Sequence, residues 1–269
     1  MRIYFISLLL FFTCLSYSQN NVKIYKEKFQ EGFKYYVDNL AYCPISIKFK
    51  FSLKNMRNKN PKDIYVVEAR KKKQLITTLV VKNKRKRYSY KSNYKWNFGN
   101  FDKNEYDKDY AYFLPFKESN SFLIYQGYNG EFSHQNEYAL DFLMPIGTPI
   151  TAVRDGIVVK VIEKNNKNCG QKSCEKYNNL IKIYHSDGTF AEYAHIKKNG
   201  SEVKVGDRVK VGNVIGYSGN VGFSTGPHLH LVIFQQKLNN RRTLQTKFKI
   251  NKGNQLKYLK EGKEYVRNY

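Results

Sequence analysis

The sequence predicts a mainly β protein: a large antiparallel β-sheet domain preceded by a small β-sandwich-like domain. Three observations carry this. Apolar residues recur at every second position in several short runs, the period of a half-buried strand. Glycines and other turn residues punctuate those runs, most densely in the second half. No stretch of that half shows the apolar spacing of an amphipathic helix.

Residues 1–18 come first. In "MRIYFISLLLFFTCLSYSQNN" one arginine precedes an apolar run, which gives way to small and polar residues. That is the layout of a secretory signal peptide, with cleavage expected near Ser18. The run is too short for a comfortable membrane span. Thr13 is a poor neighbour for a lipid-modified Cys14. The expected location is therefore outside the cytoplasm: periplasm, cell envelope or medium.

Residues 19–110 read as the sandwich-like domain. In "ISIKFKFSL" the residues Ile45, Ile47, Phe49, Phe51 and Leu53 share one face, and Ser46, Lys48, Lys50 and Ser52 the other. "DIYVVEA" and "QLITTLVV" predict two further strands. "KNKRKRYSYKSNYKW", residues 82–96, mixes basic and aromatic side chains. A stacking surface for nucleic acid has that texture. So does a solvated edge strand whose lysines discourage pairing between molecules, and predicted export favours this second reading. The net charge of +25, from 47 basic and 22 acidic residues, suits anionic partners. Abundant Lys, Asn, Tyr and Ile is also what an AT-rich genome yields. No nucleic-acid partner is expected.

Residues 111–240 form the predicted larger domain. "GTPITAVRDGIVVKV", "NLIKIYH", "TFAEYAHI" and "DRVKVGNVIGYSG" are strands broken by turns. Residues 241–269 are basic and weakly patterned and are expected to be a peripheral C-terminal tail. Cys169 and Cys174 in "CGQKSC" are close enough to form a disulfide after export. A structural zinc site would need a second cysteine pair, which the chain lacks. Cys43 is left over, buried or unpaired.

The chain has five histidines, and two of them, His228 and His230, stand two apart in "GPHLHLVIF". On a strand both imidazoles face one side, while Leu229 and Leu231 face the core. A lone His-x-His could be two satisfied polar side chains. "SHQNEYALDF" adds His134 and Asp141, so one histidine of the pair would complete a His2Asp set with an open fourth position, the arrangement of a catalytic zinc. Such a zinc activates water and polarises a carbonyl, so the implied chemistry is hydrolysis of an amide or ester. His195 in "AEYAHI" and the remaining histidine of the pair could move the proton and stabilise the developing charge. Glu137 competes as an oxygen ligand, but Asp141 heads the strand entering the core. His185 precedes the turn "SDG" and is given no catalytic part.

These strings, with "GYSGNVGFSTGPHLHLVIF" and their order along residues 126–234, resemble the lysostaphin/LytM type of zinc endopeptidase. The resemblance implies a barrel-sandwich (duplicated hybrid motif) fold and one Zn2+ per chain. It implies His134, Asp141 and His230 as zinc ligands, and His195 and His228 as catalytic residues. The interval "QNEYAL" between the first two ligands is longer than in many members. The implied substrate is the peptide part of bacterial peptidoglycan, with other anionic cell-envelope polymers as further partners. Glycines 219, 222 and 226 are expected to take positive φ in turns beside the metal. Two other readings remain. Some relatives of this fold have lost their ligands and activate other wall hydrolases. The strings "GTPITAVRDGIVVKV" and "VKVGDRVKVGNVIGYSG" also resemble biotinyl/lipoyl carriers, which have no use for clustered metal-type side chains.

Overall fold

The computed structural model describes residues 21–103 and 105–269, so the expected signal peptide, with Cys14 and Ser18, lies outside the described residues. Among the described residues nearly all regular structure is strand, and the one helical element is a short 3-10 turn, Lys172–Tyr177.

Among the described residues nine strands form the principal sheet, all with antiparallel neighbours. Its centre runs Gly156–Ile162, Leu180–Tyr184, Phe190–Ala194, Leu229–Gln236, Ala139–Phe142 and Ser121–Gln126. Alternation explains the layering. Leu229, Leu231 and Ile233 point to one face and join Ile181, Ile183, Tyr193, Phe142 and Phe116 in the main core. Val232 and Phe234 point to the other face. A three-stranded sheet of Pro149–Thr151, Val214–Ser218 and Ile196–Ser201 lies on the main-core side, with Ile150, Ile196 and Ile215 buried there.

Residues 22–98 make two further sheets. One contains Val22–Phe29, Gly32–Asn39, Lys71–Val81 and Met56–Asn58; the other contains Tyr65–Val67, Ile45–Lys54 and Ser89–Phe98. Val37 and Ile76 from the first share a core with Ile45, Ile47 and Val67 from the second. The strand Ser89–Phe98 stands at the edge of its sheet. Behind the principal sheet, Cys43, Phe98 and Tyr42 pack against Phe190, Val232 and Phe234. Cys43 is free and fully buried, and burial pushes its thiol up to about 12.

The segment 241–269 departs from its reading as a peripheral tail. Leu244, Phe248, Ile250 and Leu259 are buried in the main core. Glu264–Val266 pairs with Ser121–Gln126, and the buried Arg267 donates to the Phe116 carbonyl at 2.7 Å. Lysines between these apolar positions hide the pattern, because each strand is only three or four residues long.

His185 is fully buried at the end of Leu180–Tyr184. Its Nδ1–H donates to the Asp155 carbonyl at 2.8 Å, and Nε2 has no partner among the described residues. Burial lowers its pKa to about 4, so the folded chain holds it neutral where the unfolded chain takes up a proton. Its contribution to stability is therefore complete above about pH 6.5 and is lost progressively as pH falls towards 4, by roughly 3 kcal/mol in all. Urea unfolding at stepped pH should show a steeper acid decline in the natural chain than in His185→Asn. Parallel curves for the two proteins would contradict it.

Candidate metal centre

Strand register assembles the first part of the site. Asp141 on Ala139–Phe142 lies directly opposite His230 on one neighbour and Gln126 on the other. His230 in turn lies opposite Ala194. Residues paired across neighbouring strands put their side chains on one face about 5 Å apart. Pairing alone therefore lines up Gln126, Asp141 and His230, and the small Ala194 leaves open space beside them.

His134 arrives from the loop before Ala139–Phe142 and is fully buried. Its Nε2 is 3.2 Å from Asp141 Oδ2 and 3.2 Å from His230 Nδ1. His230 Nδ1 is 2.9 Å from Asp141 Oδ1. Tetrahedral zinc with bonds of about 2.0–2.1 Å separates its ligand atoms by about 3.3 Å. Two imidazole nitrogens and a carboxylate oxygen already sit at nearly that separation, so the donor set fits such an ion in both kind and spacing. The supporting contacts agree. The His134 Nδ1–H donates to the Gly127 carbonyl at 2.9 Å, which turns Nε2 towards the other donors. Burial raises the cost of charge on Asp141, yet hydrogen bonds from His134 and His230 hold its carboxyl well below the usual range. The same burial opposes protonation of His134, and the Asp141 contact overcomes it and raises that pKa.

His195 and His228 stand beside this cluster. His195 follows the last residue of Phe190–Ala194 and adopts a φ of 63°, the left-handed region, which a non-glycine residue enters at a cost. Its Nδ1 is 2.8 Å from the Val221 carbonyl, and its ring centroid is 4.5 Å from that of His228 and 5.9 Å from that of His230. His228 Nδ1 is 2.8 Å from the Gly226 carbonyl, and its Nε2 is 3.8 Å from Asp141 Oδ1. Burial lowers the pKa of His195 to about 3 and lowers that of His228 as well. Both rings are neutral at neutral pH. With Nδ1–H donating to a carbonyl, each keeps an unprotonated lone pair on Nε2.

Residues 135–243 match the sequence profile of Peptidase family M23, a span holding Asp141, His195, His228 and His230, with His134 immediately before it. The chain carries an M23 peptidase domain. The glycyl-glycine endopeptidase ALE-1 of Staphylococcus capitis is 40% identical over 105 residues, which are 39% of this chain and 25% of that protein. The peptidoglycan DD-endopeptidase ShyA of Vibrio cholerae is 41% identical over 90 residues, 34% of this chain and 18% of that protein. The catalytic domain of lysostaphin from Staphylococcus simulans is 31% identical, with a TM-score of 0.34 over 46% of this chain and 88% of that one. The chain thus spans a quarter or less of the two full-length relatives.

The M23 centre opens into a cleft of about 660 Å³. Tyr125 stands beside His228, with ring centroids 6.3 Å apart, and the exposed Phe132 faces Phe223 across 6.0 Å. Cys169 and Cys174 form a disulfide that braces the 3-10 turn carrying Lys172 and Glu175 on the cleft wall. Asn178, just after that turn, accepts the Phe223 N–H at 2.9 Å. Of the three turn glycines, Gly222 has a positive φ, 89°, whereas Gly219 and Gly226 do not. Gly219 is needed for another reason. A Cβ there would lie 2.7 Å from the His195 carbonyl oxygen, so only glycine lets the His195 segment approach. Glu137, the rival oxygen ligand, is drawn away by Arg241, whose Nε donates to it at 2.7 Å and whose Nη1 donates to Glu192 at 2.9 Å.

Sequence reasoning misses Gln126. Its Nε2 donates to Asp141 Oδ2 at 2.9 Å, and its Oε1 accepts the Ser133 N–H at 2.9 Å, tying the carboxylate to the loop that carries His134. Its only sequence signal is its place at the end of an apolar strand, and register with Asp141 cannot be read from one chain. Gln126→Ala is expected to weaken metal affinity about 10–100-fold while the fold persists, measured by competition with a chelator. Unchanged affinity would remove Gln126 from the supporting shell.

Proposed function

We propose that the M23 domain is a zinc endopeptidase that hydrolyses peptide bonds in the stems or cross-links of bacterial peptidoglycan, in a chain exported by its first 18 residues. One observation carries this reading: the donors of His134, Asp141 and His230 converge beside two neutral histidines in an open cleft. The name of ShyA supplies peptidoglycan as the substrate class, and that of ALE-1 an endopeptidase activity. Bound zinc would polarise the scissile carbonyl and make water nucleophilic at neutral pH.

The chain's own residues do the rest. His134, Asp141 and His230 hold the ion, with Gln126 and the Gly127 carbonyl fixing the ligands' orientation. His195 and His228 act as catalytic residues through Nε2. Each has Nδ1 against a backbone carbonyl, which leaves Nε2 as the nitrogen that can take a proton from the attacking water. A ring that has taken that proton becomes a donor, suited to the charge on the carbonyl oxygen or to the departing amine. The 4.5 Å between the two ring centroids lets both serve one scissile bond. Residues 22–98, the two-sheet part, are proposed as a separate small domain serving this one.

The test is metal content and peptidoglycan digestion with residues 19–269. One zinc per chain and new peptide ends, read by mass spectrometry, are the expected result. A chain with neither zinc nor cleavage would replace the enzyme with a non-catalytic wall-binding module.

A further inference from the structure

The sheet that ends in the edge strand Ser89–Phe98 carries a lysine face that nothing above uses. Ile45, Ile47, Phe49 and Phe51 take the inward positions of Ile45–Lys54, so Lys48, Lys50 and Lys54 project outward and are exposed. The partner strand adds exposed Lys91 and Lys95 to the same side, and the register sets Lys48 directly opposite Lys95. Like charges in that position repel and cost stability. Among the described residues only Lys48 of these five has a carboxylate partner, Asp63 at 2.7 Å. Guarding an edge against aggregation needs neither a single sign of charge nor a like-charged cross-strand pair.

The face leads to the catalytic cleft. Lys95 Nζ donates to Asn239 Oδ1 at 3.4 Å, and Asn239 lines the cleft that holds His230 and His195. Asn97, two residues on, donates to the Lys237 carbonyl at 3.4 Å. Outward lysines two apart on a strand repeat about every 6.6 Å, so the face presents a track of cations rather than a point charge.

We propose that this lysine face binds the carboxylate-bearing strands of peptidoglycan and guides them into the adjoining cleft. The proposal rests on the substrate class inferred above. Free carboxylates of the peptide stems pair with Lys50, Lys54, Lys91 and Lys95, and the neighbouring peptide is thereby held at the Asn239 end. A small soluble peptide, too short to reach the track, gains nothing from it.

Cosedimentation of the full chain with purified peptidoglycan sacculi tests this, at low and high salt. The natural chain is expected to pellet, and less so as salt screens the contacts. Lys50→Glu/Lys91→Glu/Lys95→Glu should bind at least tenfold more weakly, with unchanged zinc content and a melting temperature no lower than that of the natural chain. Should that variant misfold, the three glutamine replacements should still weaken binding several-fold. Sacculi with their carboxylates converted to amides should also fail to retain the natural chain. Equal binding by the variants, or binding that survives amidation, overturns the proposal. Binding lost only when phosphodiester polymers are stripped from the sacculi overturns it too. Retention without cleavage would remove the enzymatic reading and leave the docking face standing. Cleavage without salt-sensitive retention would do the reverse.

Discussion

His195→Ala is expected to lose about 10³-fold in turnover while keeping its zinc. Burial lowers its pKa to about 3 and leaves Nε2 unprotonated at neutral pH. It sits 5.9 Å, centroid to centroid, from the proposed ligand His230, close enough to serve the reacting bond without being one of the three proposed donors. Removing it takes away a proton acceptor and leaves the donor cluster intact. Metal analysis beside single-turnover cleavage of a peptide substrate separates the two effects. Loss of zinc together with activity would instead make His195 part of the metal shell. Full activity would strip it of any catalytic part.

His230→Ala should differ in the metal readout, losing both metal and turnover. A structural zinc site is worth about 10–16 kcal/mol across its ligands. Divided among the three donors, one ligand's share is about 3–5 kcal/mol, or roughly 10²–10⁴-fold in affinity. The fold should survive, because Leu229 and Leu231 anchor the strand while the His230 side chain faces the cleft. Chelator competition with a circular dichroism control reads the affinity and the fold together. A variant that retains zinc at natural affinity would shift the ligand role to His228, whose Nε2 is 3.8 Å from Asp141 Oδ1.

Much of this site can be read in the sequence, for a local reason. His228 and His230 lie on one face because strands alternate, and Leu229 and Leu231 are buried by the same geometry. The strand at Ile45–Lys54 is equally visible, since its alternation runs over many residues. What escapes is set by distance along the chain. Gln126 joins Asp141 through a strand register, and Arg241 reaches back to Glu137 and Glu192 from a segment expected to be a tail. Phe248 and Leu259 look isolated among lysines until the sheet gives them neighbours. Gly219 and Gly222 sit in one motif for different reasons, one for close approach and one for a left-handed turn, and spacing does not distinguish them.

The seam behind the principal sheet has a consequence for dissecting the chain. Phe190, Val232 and Phe234 are covered by Cys43, Phe98 and Tyr42. Cutting at residue 110 to isolate the peptidase would strip that cover and turn the back of its sheet into a bare apolar surface. The excised piece would be prone to self-association, whereas the intact chain should melt in a single cooperative transition because both parts share these contacts.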